Sequence, residues 1–367
     1  VGGLVGVNND ANLLYDSVDG SISASNGYVG GLVGINAGAI EYSGSMGTVT
    51  GAYAGGLVGA NGTTGHGTID YAYSSAAVTG SYEAGGLAAE TAYGSGIDYS
   101  HATGAVTASS DSVYGSFGGL VGSGYDIYNS YATGTVTTTN DSYVGGLAGS
   151  GDYIYTSYAT GNVSAGDNSY VGGLVGSGGQ ISASYATGIV NGGNGAKAGG
   201  LVGSAAGISD SYATGAVTIG SGTYGEVGGL VGANFGAILN SYATGSATGG
   251  TSVDAGGLAG YSDQGTIVDS YSTVAVSAGS GSSIGGLIGY DTPPQGGTVT
   301  NSYWDTTTSG VTGLSQGAGN VSNDPGITGL TTTQLQSGLP AGFSATIWGE
   351  SASINGDLPY LLALPPS

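Results

Sequence analysis

Few side chains in this sequence could do acid–base or covalent chemistry. Two histidines, His66 and His101, and one basic side chain, Lys197, stand against 23 carboxylates, and cysteine is absent. Thiol nucleophiles, thiolate metal sites and disulfides are therefore excluded. A polysaccharide-cleaving cluster of acids would need a cation beside it, and the chain offers one lysine and no more. No HExxH, GxSxG or phosphate-loop pattern occurs. His101 stands where other segments carry tyrosine, and His66 lies in the turn-like TTGHGT. The chain reads as a non-enzyme.

What recurs instead is carboxylates, phenols and hydroxyls at fixed spacing. Glu41, Asp70 and Asp98 form one column, and acidic turns recur at Ser110-Asp111, Asn140-Asp141 and Asp167-Asn168. Calcium takes six to eight oxygens. Glu41, Asp70, Asp98, Asp141 and Asp167 are thus the candidate ligands for Ca2+, with solvated carboxylates as the simpler reading. No other cofactor is expected. Tyr131, Tyr158, Tyr185, Tyr212 and Tyr242 form a second column, and Thr133, Thr160, Thr187 and Thr214 run beside it. Such ladders could stack on sugars or present a flat array to ice. The second threonine column that ice would require is broken by Ser164, Asn191 and Ser277.

The elements that position these columns follow from a repeat. Gly-Gly-Leu recurs eleven times, with leucines at Leu4, Leu32, Leu57, Leu87, Leu120, Leu147, Leu174, Leu201, Leu230, Leu258 and Leu287, spaced 25 to 33 residues apart. A second block, SYATG, follows about ten residues later in the clearest units, and a third apolar run lies around isoleucines such as Ile127, Ile154 and Ile181. Short β-rich runs bounded by Gly, Ser, Asn and Asp read as strands and turns. Three strands per unit make one coil, and coils pair about 4.8 Å apart. The expectation is an all-β parallel β-helix (β-solenoid) of about eleven coils, a rod roughly 50 Å long. Right-handedness follows from the crossover rule. Asn8, Asn36, Asn61 and Asn234 occupy one shared position, read as a left-handed turn. Strand alternation puts Ala132, Gly134 and Val136 on one face and Tyr131, Thr133 and Thr135 on the other. Variety at the Thr135 slot favours the second face as outer, although a constant aromatic column is also what a core looks like.

The GGLVG and SYATGxV blocks resemble the GLUG-motif repeats of bacterial surface proteins, over roughly residues 1–302. Such repeats occur in exported adhesins resembling filamentous haemagglutinin and in surface peptidases whose catalytic domain is separate. The resemblance implies a right-handed β-helix acting as the shaft or adhesive surface of a cell-surface or secreted bacterial protein. The partner it implies is a host or neighbouring-cell surface component or glycan. Self-association into an extracellular fibre is the runner-up.

Charge and hydropathy narrow the partners. The net charge of −22 excludes nucleic acid, which needs clustered Lys or Arg, and disfavours anionic lipid. No apolar run is long enough to cross a membrane. Residues 303–367 carry both tryptophans, and all prolines lie from Pro293 onward, where Pro293-Pro294 interrupts the pattern. This segment reads as a C-terminal cap and the start of a linker, with Trp348, Leu358, Tyr360 and Leu361 covering the last coil and a helical turn near residues 330–337. The chain begins inside a repeat and so reads as a fragment or mature piece.

Overall fold

A computed structural model describes residues 1–63, 65–109, 114–292 and 297–366. The turn Ser110-Asp111 and the pair Pro293-Pro294 lie outside them. The strands stack in parallel as a β-solenoid of about eleven turns. Val121, Ala148, Val175, Val202 and Val231 pair in one register from coil to coil. The middle coils have four strands each where the sequence suggests three. In the fifth these are Ser116–Gly118, Val121–Tyr128, Tyr131–Ala132 and Val136–Thr137. In these coils the leucine and isoleucine runs fuse into one long strand, as in Val121–Tyr128 and Ala148–Tyr155, whereas nearer both ends they stay separate, as in Val58–Asn61 and Thr68–Asp70.

Six columns fill the interior. In that coil they are Phe117, Leu120, Val121, Ile127, Ala132 and Val136, each fully buried. The same positions are occupied in the next coil by Val144, Leu147, Ala148, Ile154, Ala159 and Val163. Small residues are required at the corners because coils touch there. A Cβ on Gly146 would sit 2.1 Å from the carbonyl oxygen of Gly173, and one on Gly134 would sit 2.0 Å from that of Gly104. Backbone atoms cannot yield to such a contact, which accounts for the constancy of the first glycine and the recurrence of the second, whose place is taken by Ala76 and Val274 in two other coils.

Polar ladders replace apolar ones at two interior positions. Ser157, Ser184 and Ser211 are buried, and each Oγ accepts from the backbone amide of the preceding serine, 3.1–3.2 Å away. The asparagines correct the turn reading. None of Asn8, Asn36, Asn61 and Asn234 has positive φ. All four are buried; Asn8, Asn36 and Asn61 end strands and Asn234 lies within one, with Asn8 Nδ2 donating to Asn36 Oδ1 and Asn36 Nδ2 donating to Asn61 Oδ1, each at 2.8 Å. The left-handed column lies elsewhere, just before the serine ladder, at Tyr42 (φ 51), Tyr71 (φ 51), Asn129 (φ 46), Thr156 (φ 52) and Ala183 (φ 47). Side chains with little preference for this region adopt it there because the inter-coil hydrogen bonds on either side dictate the bend.

The tail first extends the sheet and then turns back. Ile327–Leu330 pairs in parallel with Ser302–Asp305, and Leu287 N–H donates to Gly317 O at 2.9 Å. Trp304, in register with Ser272, is fully buried and donates its Nε1–H to Val311 O at 3.2 Å. This partial coil closes the interior. The expected helical turn is Thr332–Leu335, capped reciprocally by Thr331 and Gln334. Trp348–Gly349 and Tyr360–Leu361 then form an antiparallel pair. This pair does not cover the last coil as expected. It lies along the flank of the rod, against the tyrosine column.

Candidate functional site

The SYATG tyrosines form a continuous stack on the outside of the rod. Tyr73, His101, Tyr131, Tyr158, Tyr185, Tyr212, Tyr242 and Tyr271 follow one another. From His101 onward the centroids are 4.8–5.2 Å apart and interplanar angles stay at or below 13°. Alternation therefore assigns the outer face as expected, since Ala132 and Val136 on the opposite parity are fully buried. His101 takes a tyrosine's place in the stack, and burial holds its imidazole below the ordinary value.

The same geometry corrects the sugar-stacking reading. Each ring face is already covered by the next ring, so a sugar would meet only edges and hydroxyls. Tyr131, Tyr158 and Tyr185 are half-buried, with Tyr185 packed partly against the tail, whereas Tyr212 and Tyr242 lie under it and are inaccessible. Burial, reinforced by the neighbouring phenol, raises the Tyr158, Tyr185 and Tyr212 hydroxyls. Thr133 and Thr160 are exposed, and Thr187 and Thr214 are half-buried beside the stack. These threonines alternate with covered neighbours, so they do not make a wide flat array.

Glu41, Asp70 and Asp98 are in register on successive coils. Burial, and then repulsion from Asp98 and Glu41, raises the Asp70 carboxyl. Asp98 Oδ1 is engaged by Asn129 Nδ2 and the Tyr99 amide, both at 2.9 Å. Asp167 belongs to a different edge. Its Oδ1 accepts the Asn194 amide at 2.7 Å, one rung of a turn ladder that continues through Asn194 Oδ1 to the Ser221 amide at 3.0 Å. The Asp141 amide donates to Asp167 O at 2.8 Å. The five candidate calcium ligands are thus spread over two edges. Among the described residues, no three or more His, Asp or Glu side chains are disposed to hold a metal ion.

Two clusters escaped the sequence reading. Glu83 and Glu90 lie near Tyr28, whose hydroxyl donates to Glu90 Oε2 at 2.7 Å. Farther along, Lys197, Glu226 and Asp254 occupy one column on three adjacent coils. The signal for the second was present: that column reads Tyr143, Tyr170, then Lys197, Glu226 and Asp254.

The GLUG motif matches residues 114–137 and 223–248. The chain carries GLUG repeats. The first matched segment runs from just before Ser116–Gly118 through Val136–Thr137, so a GLUG repeat is one coil without its variable turn. The GLUG glycines are the corner residues that a Cβ would drive into the adjacent coil's carbonyls, and the GLUG tyrosine is the outward stacking ring. No curated protein and no solved structure matches the chain. No helix is long and apolar enough to cross a membrane among the described residues.

Proposed function

We propose that this chain is the non-catalytic, rod-like repeat region of an extracellular bacterial surface adhesin. The observation that carries this reading is the coil-on-coil parallel pairing that runs from Val5–Asn8 to Ser302–Asp305 among the described residues, around one shared apolar core. Such a quasi-one-dimensional stack holds distant points apart at a cost in sequence proportional to length. About eleven coils give a rod of roughly 50 Å. A net charge of −22 keeps neighbouring rods apart.

The end-to-end fibre is the weaker reading. Residues 303–330 close the C-terminal coil with buried Trp304, leaving no open apolar cross-section there for a second rod. A carbohydrate or ice face on the Tyr and Thr columns is weaker still, since the ring faces are spent on one another.

Antibodies against the purified chain, applied to intact cells of the source bacterium, test the location. Surface labelling that protease shaving removes is expected, and labelling only after lysis would overturn the reading. Electron microscopy at several concentrations tests the rod, where separate particles are expected and concentration-dependent filaments would favour the fibre.

A further inference from the structure

The chain's single lysine lies in a cleft of about 400 Å3 between two outer columns of the rod. Lys197 Nζ bonds Glu226 Oε1. The other carboxylate oxygen, Glu226 Oε2, has no hydrogen-bond partner although Glu226 is only 6 % exposed. Asp254 lies one coil farther, in register with Glu226, and also lines the cleft. Burial keeps the Asp254 carboxyl up at about 6 even with Lys197 nearby. One cation therefore serves two carboxylates, and an unpaired buried charge is costly. The protein has no further Lys or Arg to supply the missing one.

Most of the remaining lining is aromatic. Tyr261 and Tyr290 stack at 6.0 Å, and Phe235 meets Tyr261 at 6.3 Å with 63° between planes. Phe235 is half exposed, and Tyr224 stands at the rim. Aromatic faces set at an angle beside carboxylates attract an organic cation through both the ring quadrupole and charge. An inorganic ion such as calcium would find two carboxylates where it needs six to eight oxygens. A neutral sugar would find acceptors, but the one cationic donor is already engaged by Glu226.

We propose that the cleft formed by Glu226, Asp254, Phe235, Tyr261 and Tyr290 binds an organic cation, an alkylammonium or guanidinium group. The carboxylates supply the countercharge, and the rings enclose the apolar stem. Lys197 holds Glu226 in place, leaving Oε2 and Asp254 for the incoming donor. The field of a strongly acidic chain draws such a ligand toward the site. The same group could come from a free diamine or from a lysine or arginine side chain of a partner protein. The proposal is independent of the adhesin reading, and a rod that assembled into filaments would leave it standing.

Calorimetric titration of the whole chain at physiological salt tests it, with n-butylammonium, cadaverine, Nα-acetyl-arginine amide and a short lysine-rich peptide as probes. Saturable one-to-one binding is expected. It should weaken at least tenfold in Asp254→Asn and in Tyr261→Ala at unchanged melting temperature, and persist in Asp152→Asn, which removes an exposed carboxylate elsewhere. If Tyr261→Ala fails to fold, Phe235→Ala replaces it. Cadaverine binding as tightly as the peptide assigns the free diamine, and a preference for the peptide assigns a protein partner. The proposal is overturned if Asp152→Asn weakens binding as much as Asp254→Asn, since that reports only a diffuse acidic field. Absence of saturable binding by every cationic probe also overturns it. So does saturable binding of an uncharged oligosaccharide that Asp254→Asn abolishes while the cations fail to compete.

Discussion

The indole of Trp348 lies 5.8 Å from the ring of Tyr271, tilted by 57°. Through that contact the C-terminal segment is fastened to the flank of the rod. Phe343 stacks on Trp348 at 4.5 Å, the Tyr271 hydroxyl donates to Pro359 O at 2.6 Å, and the Tyr303 hydroxyl donates to Ala341 O at 2.7 Å. The outward tyrosine column is thus divided, with open edges toward the N-terminal coils and a packed second core under the tail.

Trp348→Ala should release this segment. Truncating a buried tryptophan costs about 3–5 kcal/mol, and the contacts it removes belong to the tail rather than to the coils. Chymotrypsin should cleave the tail faster while the coil region resists, and the Tyr242 and Tyr271 rings should become accessible. Unchanged cleavage would show that the flank contact does not hold the tail.

Gly146→Ala and Gly20→Ala should differ sharply. A Cβ at Gly146 meets the Gly173 carbonyl at 2.1 Å, whereas one at Gly20 meets nothing within 4 Å. The first should destabilise by several kcal/mol, at the upper end for a single substitution. The second should stay within about 0.5 kcal/mol. Denaturant melts of the two variants check this, and similar midpoints would contradict the corner argument.

Asn36→Ala should interrupt the interior amide ladder. Asn36 accepts from Asn8 and donates to Asn61 and to Gly38 O. Each buried group left unsatisfied costs about 1–3 kcal/mol. The exposed Asn12→Ala should be nearly neutral, and hydrogen exchange should quicken around Asn8 and Asn61 in the first variant alone.

Glu83 should give the rod a pH dependence. Burial, and then repulsion from Glu90, pushes its carboxyl up from 4.5 to about 7. Between those values the folded state holds a proton that the unfolded chain releases, so stability falls as pH rises. This contribution is fully present below about 4.5 and is lost through about pH 7. The melting temperature should therefore drop from pH 5 to pH 8 more steeply in the native chain than in Glu83→Gln. Parallel profiles would remove Glu83 as the cause.

How much of this was legible beforehand differs from residue to residue. Ala132 and Val136 could be put on one face and Tyr131 and Thr133 on the other, because alternation is a local property of the chain, but a constant aromatic column, which a core would also show, leaves open which face is outer. The inward asparagines were misassigned because residue type alone does not separate a turn former from a buried ladder amide. That distinction depends on whether another asparagine lies one coil away at 2.8 Å, as Asn36 does for Asn8. The left-handed residues were missed because Thr156 and Ala183 carry no preference that marks them. The column of Lys197, Glu226 and Asp254 was visible as a departure from tyrosine, but its partners Phe235, Tyr261 and Tyr290 come from a different strand of the coil.

The sequence by itself determined the solenoid, its coil count and the parity of its faces, since stacking identical units propagates one short pattern along the whole rod. Tertiary structure alone decided which outward tyrosines are free. Trp348 and Tyr271 are far apart in the chain, and their contact depends on where a non-repeating segment finds apolar surface to cover. No periodicity encodes that choice. It is settled by the match between the tail's few large apolar side chains and the stretch of aromatic ridge at Tyr212, Tyr242 and Tyr271 that they cover.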